Sequence, residues 1–282
     1  MININGNIID HEHAKISLEN RGYKYGDGLF ETLKVVNGKI FFWEDHYFRL
    51  MASMRILRMD IPMNFTMEFL EEEILKTLQA NKLDTNTARV RLNVDRGEGG
   101  KYLPKTSSVN YSIVAESYDR PFYTIAENQA YVIDLYKDFY LAPGLLSGLK
   151  SNNKALQVIG SIYAEENGYN NCLVLNTNKH VVEALNGNIF LIKDGIIKTP
   201  PLEDGCLKGI MRKQIIELVK SLPEYELQEV SISPFELQKA DELFITNVIV
   251  GILPVTQYRK KSYSNTIAKL LTDKLNTKIR LS

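Results

Sequence analysis

The chain has 282 residues, with 34 Lys+Arg against 34 Asp+Glu and 44% hydrophobic residues. That length suits one large domain or two of ordinary size, and zero net charge leaves no field of one sign to draw nucleic acid or an anionic membrane. Cys172 and Cys206 make no disulfide framework, the opening residues lack a basic and apolar leader, and no apolar run approaches the ~20 residues of a membrane span. We therefore expect a soluble, cytoplasmic protein with neither nucleic acid nor a membrane as partner.

Asn5-Gly6 and Asn37-Gly38 each sit between apolar stretches and predict tight hairpins, because both residue types tolerate positive φ. Phe48, Leu50, Met51, Met54 and Leu57 recur at helical spacing and predict a helix over 43–58. Phe69, Leu70, Ile74 and Leu78 predict a second over 65–80. Residues 89–94 and 109–116 read as strands around a glycine-rich loop. Ser117-Tyr118-Asp119-Arg120-Pro121-Phe122 breaks the periodicity and is the expected linker, 117–122, between a smaller domain, 1–116, and a larger one, 123–282. In the second part we expect a strand over 130–135 and a helix over 152–166 closed by Gly168. Strands over 172–176 and 181–185, a hairpin at Asp194-Gly195 and a helix over 208–221 follow. A short helix at 235–240, a strand over 242–247, a mobile basic segment and a final helix complete the chain. No βαβ rhythm shows, so the fold class is α+β.

Six strings carry the chemistry. They are Arg21 to Glu31 (RGYKYGDGLFE), His46 to Leu50 (HYFRL), Gly148 to Ser151 (GLKS), Glu183 to Phe190 (EALNGNIF), Thr199-Pro200-Pro201, and Leu207 to Arg212 (LKGIMR). A lysine and a distant carboxylate are what pyridoxal phosphate needs: an amine to form a Schiff base and an anion to keep the pyridine nitrogen protonated. In this order the strings resemble the class IV aminotransferases, fold-type-IV pyridoxal phosphate enzymes that include branched-chain aminotransferases, D-amino-acid aminotransferases and 4-amino-4-deoxychorismate lyases. Relatives of this kind work as homodimers, with the cofactor between a small and a large domain, and the resemblance implies a two-domain homodimer here. One departure is Leu185, where the family usually has a small residue, and we expect it to reshape the wall beside the cofactor.

By resemblance, Lys150 is the Schiff-base lysine and proton shuttle, and Glu183 is the partner of the pyridine nitrogen. Arg49 is the phosphate arginine, its guanidinium suited to a phosphate dianion; without the other strings it would read as a surface ion pair with Glu44 or Asp45. Gly209, Ile210 and Met211 open a helix whose N–H groups favour an anion. Leu207 is expected on the pyridine face, and Thr246 and Asn247 as side-chain donors. Arg96-Gly97-Glu98-Gly99-Gly100-Lys101-Tyr102 reads either as a plain hairpin loop or as the segment that contacts a substrate carboxylate, with Arg96, Lys101, Tyr102 and Phe30 as substrate residues. It matches neither a P-loop nor a dinucleotide fingerprint.

Phe30 in place of a tyrosine, the Gly209-Ile210-Met211-Arg212 string and Asn247 lean toward the lyase, which forms 4-aminobenzoate and pyruvate. The alternatives are an aminotransferase for a branched-chain or D-amino acid with 2-oxoglutarate and, more distantly, a non-catalytic phosphate-ligand binder. His11-Glu12-His13 reads as a polar turn, and no metal site is expected. Cys172 reads as core, nothing marks Cys206 as a nucleophile, and Arg259-Lys260-Lys261 is too short for a nucleic-acid surface.

Overall fold

The computed structural model describes residues 1–127 and 129–281. Two compact units form: Met1–Pro121 together with Lys150–Asn153, and Phe122–Leu149 together with the chain from Lys154 onward. The break falls at the end of the expected linker, whose first residue, Ser117, is still part of a strand. Lys150–Asn153 lie late in the sequence and yet pack with the first unit, for a reason given by the backbone of that unit.

In the first unit, β1 (Ile2–Ile4), β2 (Asn7–Ile9), β3 (Gly28–Val36), β4 (Lys39–Ile40), β5 (Thr87–Arg96) and β6 (Val109–Ser117) form one sheet in the order β2-β1-β6-β5-β3-β4. Strand β5 buries Ala88, Val90, Leu92 and Val94 and turns Arg89, Arg91, Asn93 and Asp95 to its other face, the period of two that pleating imposes. The β3–β4 turn has Asn37 and Gly38 at φ 49° and 75°, and Asn5 and Gly6 repeat the pattern at 51° and 85°, as a type I′ hairpin requires. The short helix α1 (Arg21–Tyr25) is capped by the Asn20 side chain. Helices α2 (Trp43–Ile56) and α3 (Met67–Ala80) follow, the latter capped by Thr66. Phe48, expected on the apolar face of α2, is instead 57% exposed.

The first correction to the sequence reading lies at 150–154. The predicted helix over 152–166 begins only at Ala155. Residues 150–152 run extended beside β3 instead: Phe30 N donates to Lys150 O at 2.9 Å and Asn152 N to Gly28 O at 3.0 Å. Strand β4 pairs only with Val35 and Val36, so this stretch of β3 has an open edge for the segment to take.

In the second unit, β7 (Val132–Leu141), α4 (Ala155–Glu166), β8 (Asn171–Asn176), β9 (Val181–Ala184), β10 (Asn188–Lys193), β11 (Ile196–Thr199), α5 (Ile210–Lys220), β12 (Glu226–Glu229), α6 (Pro234–Leu237), β13 (Glu242–Asn247), β14 (Gly251–Pro254), β15 (Gln257–Tyr258), β16 (Lys261–Ser262) and α7 (Thr266–Leu281) make two sheets. Their orders are β12-β11-β10-β13-β14 and β16-β15-β7-β8-β9. The sheets share a core of Ile133, Leu135, Leu173 and Leu175 against Ile189, Leu191, Leu243 and Ile245. Strands β7 and β8 are parallel and joined through α4, so the mixed α+β fold contains a βαβ crossover that the sequence pattern had not shown. The basic run Arg259-Lys260-Lys261 lies at the turn of the β15–β16 hairpin, with Arg259 at φ 53°.

Candidate active site

On the first unit, the edge segment places the Lys150 amine 4.4 Å from the centroid of the Phe30 ring. The Arg91 guanidinium lies over the same ring at 3.8 Å. Arg91 is half-buried, and burial and the neighbouring Arg89 lower its pKa while Asp95 opposes them. Two cationic side chains gather at one aromatic ring here, an arrangement that favours an incoming anion. The sequence reading named Phe30 and overlooked Arg91. The signal was the polar face of β5, where Arg91 stands two residues before Asn93 and four before Asp95.

Behind Phe30, the next residue along β3 turns to the opposite face. Glu31 is buried and accepts from Arg49 Nε at 2.8 Å and also from Arg49 Nη2. His46 Nδ1 lies 2.6 Å from Glu31 Oε2. Burial alone would raise the Glu31 carboxyl, but Arg49 and His46 outweigh it and bring the pKa from 4.5 to about 2. Burial lowers the pKa of His46 against the pull of Glu31, and Arg49 and Lys150 lower it further. His46 Nδ1 donates to the carboxylate, and Nε2 is buried without a partner among the described residues. Arg49 is thus an arginine whose side chain is largely shielded from water and oriented by Glu31. Glu31 and His46 both lie in the strings quoted above but had no assigned role, because their pairing joins a strand to a helix.

The glycine-rich loop over 96–102 is held by arginines. Arg21 Nη1 donates to Gly99 O at 3.2 Å and to Lys101 O at 2.6 Å. Lys101 is exposed, and Tyr102 is 90% exposed with its ring 5.9 Å from that of Tyr25. Arg96 is buried, and its donors go to Asp27 Oδ2 (2.8 Å), Arg58 O (2.9 Å) and Leu57 O (2.5 Å). That commitment corrects the expected substrate contact: Arg96 ties the loop to the unit's body.

On the second unit, strand and loop grip one residue from both sides. Leu207 N donates to Glu183 Oε2 at 2.8 Å, and Asn188 Nδ2 donates to Leu207 O at 2.9 Å. Glu183 is buried on β9, where a carboxylate requires such partners. Two residues on, Gly209 caps α5 with no side-chain bond, so the first N–H groups of that helix, on Ile210 and Met211, are presented at its start. A Cβ at Gly209 would lie 1.9 Å from Asn188 Oδ1, so glycine is required for this approach. Thr246, paired with Asn188 across β10 and β13, has a buried Oγ1 with no partner among the described residues.

Asn247 differs from expectation. Its Oδ1 accepts from Ile249 N and Val250 N, and its Nδ2 donates to Asn186 O, so it shapes the turn after β13 in place of donating to a ligand. Leu185 packs into a core cluster with Tyr136, Ala164, Cys172 and Val174, and a Cβ on Gly160 of α4 would lie 2.4 Å from it. The larger residue at 185 is thus matched by a missing side chain on the helix above it. Burial pushes the Cys206 thiol up to about 12 and that of Cys172 to about 11, which suits neither to nucleophilic work. Among the described residues, no cluster of three or more His, Cys, Asp or Glu is placed to hold a metal, and no helix is long and apolar enough to cross a membrane.

The amino-transferase class IV family model matches residues 28–258. The chain belongs to that family. A Methanocaldococcus jannaschii protein provisionally named branched-chain-amino-acid aminotransferase is 32% identical over 99% of this chain and 95% of its own length. A Staphylococcus aureus D-alanine aminotransferase is 30% identical over 89% of this chain and 86% of its own. The crystal structure of 4-amino-4-deoxychorismate lyase from Pseudomonas aeruginosa superposes with a TM-score of 0.82 at 29% identity, covering 98% of each chain. The protein is a pyridoxal-phosphate-dependent enzyme of this family. Each unit carries chemistry that fits the cofactor: on the first, a lysine beside an aromatic ring and an arginine held by a carboxylate; on the second, an open helix start and a buried threonine hydroxyl with no partner among the described residues.

Proposed function

We propose that this enzyme is a 4-amino-4-deoxychorismate lyase, and that Lys150, Arg49, Glu183, Leu207, Gly209, Ile210, Met211 and Thr246 hold its cofactor. The observation that carries the lyase reading is Phe30 under the Lys150 amine. The ring beside that amine has no hydroxyl, where aminotransferases of the family commonly have a tyrosine.

Bound pyridoxal phosphate supplies an aldehyde and an electron sink. Lys150 Nζ would hold the cofactor through that aldehyde and, once the substrate amine has replaced it, would accept the proton from the ring carbon bearing that amine. The C–O bond between the ring and the enolpyruvyl oxygen would break, enolpyruvate would leave and take up a proton at its methylene carbon to become pyruvate, and the ring would become aromatic. Glu183, fixed by Leu207 N, would keep the pyridine nitrogen protonated; Arg49, aimed by Glu31, and the N–H groups at the α5 start are each donors suited to a phosphate. Arg91, stacked on Phe30, meets one substrate carboxylate, and Lys101 the other. The enzyme works as a homodimer.

A second reading, an aminotransferase, is favoured by the full-length identity to the Methanocaldococcus jannaschii protein. The test is product analysis of the purified holoenzyme. Release of 4-aminobenzoate and pyruvate from 4-amino-4-deoxychorismate supports the lyase. Conversion of branched-chain amino acids or D-alanine with 2-oxoglutarate, without 4-aminobenzoate, replaces it with the second reading.

A further inference from the structure

We propose that Asn152 and Asp95 form a clamp, closed across the bare backbone of Gly28, that sets the position of Lys150. The two side chains are positioning residues, and the inference rests on the reading of Lys150 as the lysine that takes the cofactor.

Three strands line up in a row. Gly28 of β3 is paired with Asp95 of β5 on one side, and its carbonyl accepts from Asn152 N on the other. Because residue 28 has no side chain, Asn152 reaches over it, and its Nδ2 donates to Asp95 Oδ1 at 2.9 Å. A Cβ built on Gly28 would lie 2.1 Å from Asp95 Oδ1 and 2.4 Å from Asn152 Nδ2, in the path of that bond. Gly22 clears space for the same carboxylate, since a Cβ there would lie 2.2 Å from it. On its other side, Asn152 Oδ1 accepts from Arg91 Nη2 and Asn93 Nδ2, each at 3.4 Å. The amide is therefore engaged at both ends, and two glycines are given over to the room it needs.

The consequence falls on Lys150, two residues away. Its peptide oxygen is bonded to Phe30 N, and Ser151 bridges Leu29, so the segment's backbone follows β3 while its side-chain anchor is the Asn152 bond. Reaction geometry tolerates little error, a misplacement of about 1 Å being worth about a hundredfold in rate. An edge segment held by few backbone bonds needs such an anchor to keep one register.

Three variants of the full-length holoenzyme test the clamp. Asn152→Ala removes the donor. Gly28→Ala drives a methyl into the bond while leaving donor and acceptor in place. Asp95→Asn keeps an acceptor of the same shape. One readout is hydrogen exchange of the peptide covering 149–153. Another is the rate of growth of the visible cofactor band at saturating pyridoxal phosphate, together with the concentration for half-saturation. In Asn152→Ala and Gly28→Ala we expect exchange about tenfold faster in this peptide alone, from loss of a hydrogen bond to a charged group. The band should form at least about tenfold more slowly with half-saturation within about threefold, a positioning defect and not a binding defect. Asp95→Asn should recover most of both. Unchanged exchange and rate in both disruptive variants, in an enzyme that borohydride still traps at Lys150, would overturn the clamp alone, as would exchange that rises evenly across the chain. A wild-type enzyme trapped at another residue would overturn the reading beneath it.

Discussion

Replacing Glu31 with glutamine leaves shape and volume nearly intact and removes one buried charge. In the wild type that charge is shared by Arg49 and His46 and is almost wholly shielded from water. The fall of its pKa from 4.5 to about 2 corresponds to about 3 kcal/mol at neutral pH. Loss of one partner from a buried ion pair costs a similar amount, about 3–5 kcal/mol, because the other charge remains buried. Urea unfolding of wild type and Glu31→Gln from pH 7 down to pH 2 separates these contributions. The folded-state pKa is the depressed one, so the stabilisation is full above 4.5 and is lost as pH falls toward 2. We expect a gap of about 3 kcal/mol at pH 7 that closes through that window at no more than about 1.4 kcal/mol per pH unit. A gap below about 0.5 kcal/mol at pH 7, or one independent of pH, would refute the assignment of Glu31 as the counter-charge of Arg49.

Lys34 has the same sign of pH dependence in a different window, though here it is the charged form that the fold disfavours: burial, aided by Arg120, lowers its pKa from 10.5 to about 8. The unfolded chain then binds the extra proton between those values, so stability should rise with pH from 8 to 10.5 by up to about 3 kcal/mol, and Lys34→Met should flatten that rise. Gly209→Ala should push Asn188 off Leu207 and weaken pyridoxal phosphate binding at least about tenfold, the loss of about one charge-assisted hydrogen bond, as read by fluorescence titration. Gly160→Ala should cost about 1–3 kcal/mol through overpacking against Leu185, and Leu185→Ala should rescue it in the double variant; additive losses in thermal unfolding would show that the two do not share the space.

What could be read from the chain was local. The Asn-Gly turns carry their own φ preference, β5 shows its alternation over ten residues, and the Lys150 string announces itself by residue type. The errors came from contacts between distant segments. Residues 152–154 continue into a helical pattern, yet the helix starts only at Ala155 because β3 offers an edge that takes residues 150–152. Arg96 and Asn247 are polar residues near loops and resemble ligands for that reason, until their hydrogen bonds are traced to Asp27 and the turn after β13. Glu31, His46 and Arg91 had no role assigned because their partners lie on other elements. Leu185 looked like a feature of the cofactor wall because its counterpart, Gly160, lies across a helix–sheet contact.

The central claim is that Lys150 takes the cofactor. Reduction of the purified holoenzyme with borohydride, followed by proteolysis and mass mapping, tests it directly. The account predicts loss of the visible band and a single phosphopyridoxyl mass addition on the peptide containing Lys150, absent in Lys150→Ala. A protein that shows no such band when saturated with pyridoxal phosphate, or one labelled on a different lysine, would contradict it.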